Sequence, residues 1–137
     1  MTKHPNVLEM RGLRVEAVGG KEILHGIDLT VRRGEMLGLV GESGSGKTTA
    51  GLAAMGHFRA GLLQTGGTST IYPNTPSEGR EKIVVEELND DETRFLRGER
   101  IAYIPQDPAL SLNPAIRVGD QIREVLDIHG YCLLYTS

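Results

Sequence analysis

The run GESGSGKT, from Gly41 to Thr48, carries residue types and a spacing suited to holding phosphate groups. It matches the pattern GxxxxGK[ST] without a mismatch. Glycines let consecutive backbone amides turn inward around anionic oxygens, because no side chain stands in the way. Lys47 adds a positive charge that reaches the beta and gamma phosphates, and the Thr48 hydroxyl can ligate the Mg²⁺ that bridges them. The motif therefore predicts a site for ATP with Mg²⁺.

The other residues of this loop complete the predicted site. We expect Glu42, Ser43 and Ser45 to act as spacers that contribute backbone groups, and Thr49 to be a helix residue close to the phosphates. The alternative is a Gly-rich turn with a solvated lysine, and the flanking sequence argues against it. The predicted cofactor-binding residues are Gly41, Glu42, Ser43, Gly44, Ser45, Gly46, Lys47, Thr48 and Thr49.

The segments on either side of the loop are typical of a strand and a helix. Residues 36–40, MLGLV, form a nearly continuous apolar run, which predicts a central strand buried on both faces. The Ala-rich segment after the loop predicts a helix that Gly56 ends. A phosphate-binding loop requires this strand, loop and helix order.

The flanking regions are less regular. Residues 7–31 predict short strands around a turn at Gly19-Gly20, because apolar and polar residues alternate. Residues 60–80 are rich in Gly, Thr, Ser and Pro around a possible strand, TSTIY, and are predicted as loop.

Two helices and one strand are predicted further on. DDETRFLRG has acids in its first turn and a glycine near its end, which favours a short helix. RIAYI predicts a strand closed by Pro105. A helix is expected from about Val118 to His129, with an apolar stripe on one side and Gly130 beyond its end.

Composition limits the classes of protein to consider. The chain has 137 residues, enough for one domain, and a net charge of -3 that argues against direct nucleic-acid binding. A single cysteine, Cys132, favours a reducing compartment, with the cytoplasm as the default. No apolar run reaches the roughly 18 residues of a membrane span, so membrane association is expected to go through a partner.

A second motif, IPQDPALSLNP, lies at residues 104–114 and places Gln106 between prolines. Residues before proline favour extended backbone, so Ile104 and Asp107 should hold the loop open. A glutamine amide both donates and accepts hydrogen bonds, which suits contact with the Mg²⁺ of a nucleotide or with an attacking water. A surface glutamine in a Pro-rich turn is the alternative if the segment is considered alone.

The two motifs together resemble the ATP-binding subunit of ABC transporters, in the branch that energises bacterial dipeptide, oligopeptide and nickel importers. The resemblance rests on GLVGESGSGKTT and GERIAYIPQDPALSLNPAIRVGDQI, and it covers residues 7 to about 130. It implies that Gly41 to Thr48 form the Walker A loop of a P-loop NTPase. It also implies that Gln106 is the Q-loop glutamine, a catalytic and Mg²⁺-associated residue, and that the next segment opens the helical subdomain.

The resemblance further implies an α/β fold, an ABC-type ATPase core with an antiparallel β subdomain. The implied function is ATP hydrolysis that drives import of peptides or related solutes. The implied partners are membrane permease subunits, a second ATP-binding subunit and, indirectly, a solute-binding protein. The implied location is the cytoplasmic side of the bacterial inner membrane, as a peripheral protein.

One departure from the family concerns the base of the nucleotide. The family usually places an aromatic residue upstream of the phosphate loop, whereas RVEAVGGKEIL contains none. Apolar contact near Val15 to Val18 would have to replace the stacking on adenine.

The sequence also lacks the family's signature motif, Walker B strand and switch histidine. IVVEELNDD, residues 83–91, places acids after an apolar run, but it precedes Gln106 and is interpreted as a strand end followed by a helix start. Hydrolysis by these 137 residues is therefore expected to be negligible. A catalytically dead nucleotide-binding fragment, and an ABC-type ATPase of DNA repair or translation, are the alternatives.

The ending YCLLYTS, after Gly130, does not continue the amphipathic pattern of the predicted helix. We therefore expect residues 1–130 to be the N-terminal portion of an ABC transporter ATP-binding domain, truncated before its helical subdomain is complete. Residues 131–137 are expected to be a tail that is not native.

Overall fold

The computed structural model describes residues 4–42, 44–73, 81–107 and 112–128. The chain divides into two compact units, Met1–Thr93 and Arg94–Ser137, and each is described by itself. Within the described ranges, no helix is long and apolar enough to cross a membrane.

The first unit is built on one antiparallel sheet with the strand order β2-β1-β3-β4. The first two strands form a hairpin, and its turn contains Gly19 and Gly20 with φ of +107° and +91°. The predicted strands and turn over residues 7–31 are therefore confirmed. The strand bounds are β1 Asn6–Ala17, β2 Glu22–Arg32, β3 Leu62–Ile71 and β4 Ile83–Val84.

A bulge at Gly12 sets which side chains of β1 reach the core. Met10, Leu13 and Val15 are fully buried, so the alternation skips one residue at the bulge. Gly12 has a φ of +57°, and its amide donates to Oδ1 of Asp28 at 2.7 Å. Gly67 of β3, with a φ of +84°, lies so close that an added Cβ would overlap the Gly12 carbonyl. The pairing of β1 with β3 therefore requires glycine at Gly67.

The described residues also form three α-helices. The predicted helix over DDETRFLRG is confirmed: the Asn89 side chain accepts from the Glu92 amide at 2.8 Å, and Glu92 accepts from the Asn89 amide at 3.3 Å. This reciprocal cap satisfies backbone donors that a helix start leaves free. The helix predicted from Val118 is confirmed as well. The bounds are α1 Lys47–Ala53, α2 Asp90–Glu99 and α3 Val118–Ile128.

Helix α1 lies within the core of the first unit. Ala50, Leu52 and Ala53 are buried, because the small and apolar residues face inward. The helix is followed by a turn to Gly56, whose φ is +69° and where a Cβ would lie 2.8 Å from Cγ1 of Val85. The predicted end of the helix at this glycine is confirmed, and its cause is both conformational and steric.

The prediction of a buried central strand at residues 36–40 is wrong for the described structure. The segment has no regular secondary structure, and the side chains of Met36 and Val40 are 97% and 96% exposed. A strand buried on both faces needs neighbouring strands and covering layers. None of the four described strands pairs with this segment, so its apolar side chains face solvent.

Two other local predictions differ from the structure. Residues 62–71, predicted as part of a loop, form β3, because pairing with β1 overrides their Gly, Ser and Thr content. The strand predicted for RIAYI is reduced to a single parallel bridge between Arg97 and Ile101, and residues 102–104 are exposed.

The turn that leads into residues 36–42 is anchored by Arg33. Its Nε donates to the carbonyl of His4 at 2.6 Å, and its Nη2 donates to the carbonyl of Tyr72 at 3.1 Å. The rings of His4 and Tyr72 stack with centroids 3.6 Å apart, and the Tyr72 hydroxyl donates to Glu9 at 3.3 Å. A hydrogen bond from Asn6 is the largest cause that lowers the pKa of Glu9. The end of the sheet next to this turn is therefore well fixed.

We predict that Gly67→Ala lowers the free energy of unfolding by about 3 kcal/mol, because it adds both a strained φ and an overlap with the Gly12 carbonyl. Gly61→Ala is the matched control, since Gly61 has the same φ of +84° but open space around it. The control should cost only about 1 kcal/mol. Urea unfolding measures both, and equal losses would contradict the overlap.

Candidate nucleotide-binding site

The predicted phosphate loop lies between the exposed segment 36–40 and α1. Gly44 and Gly46 have φ of +83° and +93°, which only glycine adopts readily. The Gly46 carbonyl accepts from the Ala50 amide at 2.9 Å and so begins the helix. A Cβ on Gly46 would lie 2.9 Å from Cδ2 of Leu24, so this glycine also lets the loop approach β2.

The ammonium of Lys47 lies over the loop. Nζ donates to the carbonyl of Gly41 at 2.6 Å, to the carbonyl of Glu42 at 2.8 Å, and to Oγ of Ser45 at 3.3 Å. The Ser45 amide donates to the same Glu42 carbonyl at 3.1 Å. The loop therefore curls around the positive charge of Lys47, and the loop carbonyls and the Ser45 hydroxyl accept its hydrogen bonds.

Gly41 has no side chain, and this lets it lie close to Ser45 across the loop. A Cβ at this position would lie 2.7 Å from Oγ and 3.3 Å from Cβ of Ser45. A larger residue at this position would require the Ser45 side chain to shift.

The structure brings most of the predicted loop residues together. Thr48 and Thr49 lie in the first turn of α1, with Thr48 exposed and Thr49 half-buried. Ser43 lies outside the described residues. Glu42 and Gly44 are exposed on the loop.

Gln106 belongs to the second unit and is exposed at a bend after residues 102–105. Its place beside the phosphate loop stays a prediction. Among the residues that the structure describes, no group of three His, Cys, Asp or Glu side chains is arranged to hold a metal ion. The roles of Thr48 and Gln106 toward Mg²⁺ stay predictions from the sequence.

Glu86, in the acidic run after β4, makes structural contacts that could not be predicted from the sequence. Its Oε1 accepts from the Ser69 amide at 2.7 Å and from Nε2 of Gln64 at 3.0 Å. The carboxylate thus satisfies backbone and side-chain donors of β3. Residues 83–84 form the end of a strand, and a turn of 3-10 helix at Val85–Glu87 precedes α2, as interpreted from the sequence.

Comparison with known proteins identifies the family of this chain. The family described as ABC transporter matches residues 24–131, which is well over half of the chain. This chain belongs to the ABC transporter ATP-binding family. The predicted P-loop NTPase fold class is thereby confirmed, and the phosphate loop and Gln106 both lie inside the matched region.

Peptide-transport proteins are among the relatives of this ABC family member. The chain is 42% identical over 126 residues to the oligopeptide transport ATP-binding protein OppD of Salmonella typhimurium, covering 90% of this chain and 35% of the relative. It is 40% identical over 124 residues to OppD of Escherichia coli, covering 90% and 34%. A glutathione import ATP-binding protein, GsiA of Salmonella paratyphi A, is 36% identical over 129 residues, covering 90% and 20%. The chain spans about a third of the length of the OppD relatives.

We predict that Glu86→Ala lowers the free energy of unfolding by about 1 to 3 kcal/mol, because it leaves the buried Ser69 amide without its acceptor. Glu87→Ala removes the same charge from the exposed neighbouring position and is the matched control, expected within about 0.5 kcal/mol of wild type. Urea unfolding of both variants tests this. Equal stability of the two variants would refute the structural role of Glu86.

Proposed function

We propose that this chain binds Mg-ATP through residues 41–49. The observation that carries the proposal is the Lys47 ammonium, which a glycine loop holds through the carbonyls of Gly41 and Glu42. The same glycines leave room for phosphate oxygens, which would compete for the ammonium with full negative charge. Membership of the ABC ATP-binding family supports a nucleotide as the ligand.

The residues divide the binding task between them. Lys47 would neutralise charge on the outer phosphates, and backbone amides of the loop would donate to the same oxygens. The exposed Thr48 hydroxyl would ligate Mg²⁺, which supplies the charge that bridges the phosphates when it is bound. Gln106 would contact this ion or the attacking water with its amide and act as the catalytic residue of the chain.

We further propose that, in the full-length protein, ATP hydrolysis drives the import of peptides or related solutes. The names of the OppD relatives support this function, because they describe oligopeptide transport. Membrane permease subunits and a second ATP-binding subunit would be the partners, with a solute-binding protein acting indirectly. The proposed location is the cytoplasmic face of the bacterial inner membrane, as a peripheral subunit.

Lys47→Ala should weaken Mg-ATP binding at least about tenfold, because it removes the charge-assisted hydrogen bonds at the centre of the loop. Isothermal calorimetry with the 137-residue chain measures this. Lys82→Ala is the control, since Lys82 is an exposed lysine outside the loop and should bind as wild type does. Unchanged Mg-ATP binding by Lys47→Ala would refute the assignment of the loop as the nucleotide-binding site.

Val18 is the proposed contact for adenine. Val15 is fully buried, whereas Val18 is 78% exposed in the β1–β2 hairpin. The Val18 amide donates to the Gly61 carbonyl at 2.7 Å, so its backbone is held in place. The same hairpin leads into Leu24, against which Gly46 of the phosphate loop packs. Val18 is thus an exposed apolar residue with a held backbone, on the hairpin whose second strand meets the loop at Leu24.

Val18→Tyr should strengthen ATP binding about twofold to tenfold, because a ring stacks on adenine where valine offers only a small apolar contact. Inorganic triphosphate is the control ligand, since it lacks the base and should bind both proteins equally. Calorimetric titration with the two ligands separates the effects. A gain shared by triphosphate, or no gain with ATP, would show that Val18 does not face the base.

A further inference from the structure

A tight turn precedes α3 in the second unit. The Ile116 amide donates to the Asn113 carbonyl at 3.2 Å, which closes a β-turn with Pro114 at its second position. The Asn113 side chain accepts from the Ala115 amide at 3.0 Å and reinforces the turn. Residues 113–116 are exposed, so these contacts form in water rather than in a core.

Gln121, in the first turns of α3, reaches back and binds this turn. Its Oε1 accepts from the Asn113 amide at 2.9 Å. Its Nε2 donates to the Asn113 carbonyl at 3.0 Å and to the Ile116 carbonyl at 2.9 Å. One side-chain amide therefore joins the first turns of the helix to both ends of the β-turn.

The chemistry of the three contacts requires an amide. Both Nε2 protons face carbonyl oxygens, and the oxygen faces an N–H group, so each polar atom of the side chain is matched. A carboxylate of the same shape would place an anionic oxygen against two carbonyl oxygens. The contact is therefore specific to glutamine, although a glutamate at this place would suit a helix start equally well.

We infer that Gln121 is a positioning residue that makes the 113–117 turn and α3 one rigid piece. This inference rests on the proposed function, in which Gln106 responds to bound nucleotide. Asn113 follows Gln106 by seven residues in the sequence, and the turn that it begins directly precedes α3. With the Gln121 contacts in place, a displacement that reaches the turn moves the helix, and without them the turn absorbs it.

The test uses the 137-residue chain, labelled with ¹⁵N, as wild type, Gln121→Glu, Gln121→Leu and Glu124→Gln. Glu124 is exposed on the same helix and serves as the control position. Two measurements report the Gln121 contacts with the turn. They are nuclear Overhauser contacts between the Gln121 side-chain amide and Ile116, and backbone order parameters of residues 113–117. A titration with Mg-ATP then reports the shift changes of the α3 amides and the dissociation constant.

We expect the wild type and Glu124→Gln to show the contacts, an ordered turn, and α3 shifts on saturation with Mg-ATP. Both Gln121 variants should lose the order of the turn and the α3 shifts, while circular dichroism shows the helix retained. Their Mg-ATP affinity should stay within about twofold of wild type, as for surface changes away from a binding loop.

Three results would overturn the inference. The first is a turn that stays ordered in both Gln121 variants, and the second is an α3 response to Mg-ATP that persists in them. The third is a wild-type chain that binds Mg-ATP without any response in α3. A wild type that binds no Mg-ATP would instead refute the proposed function, and the coupling to nucleotide would be refuted with it. The Overhauser contacts would still decide whether Gln121 binds the turn.

Discussion

The contact between the Lys47 ammonium and the carbonyls of Gly41 and Glu42 is the interaction on which the site depends. Three of the six residues from Gly41 to Gly46 are glycines, and glycine loses more backbone freedom on ordering than any other residue. The ammonium compensates by binding acceptors from the start of the loop while its own Cα begins α1. The shape of the loop and the charge that serves it are therefore supplied by one residue, and β2 supports both where Gly46 packs on Leu24.

The antiparallel sheet is the support beneath that loop, and its own geometry depends on close backbone approach. The bulge at Gly12 turns Leu13 into the core, and Gly67 provides the space that the bulge needs on β3. Asp28 and Glu86 each satisfy a backbone amide of these strands. Side chains that bind backbone groups thus fix the sheet at the places where its hydrogen-bond ladder is irregular.

The elements with strong periodicity could be predicted from the sequence, and so could the phosphate loop. The hairpin of β1 and β2 follows from alternation around Gly19-Gly20, and α2 follows from its cap and first-turn acids. The structure of segment 36–40 could not be predicted from the sequence. An apolar run indicates that the segment needs burial, but it does not show which strands would bury it. Strand β3 is set by its pairing with β1, and the contacts of Glu86 and Gln121 join residues by geometry that has no sequence signature.

The exposed segment 36–40 has a consequence for the behaviour of the chain in solution. It has no regular secondary structure, its side chains are apolar and exposed, and none of the described strands pairs with it. Neither proline nor a charged residue interrupts its five positions, so the segment has none of the features that protect against intermolecular β-pairing. We therefore expect association of this polypeptide at high concentration to begin at these residues.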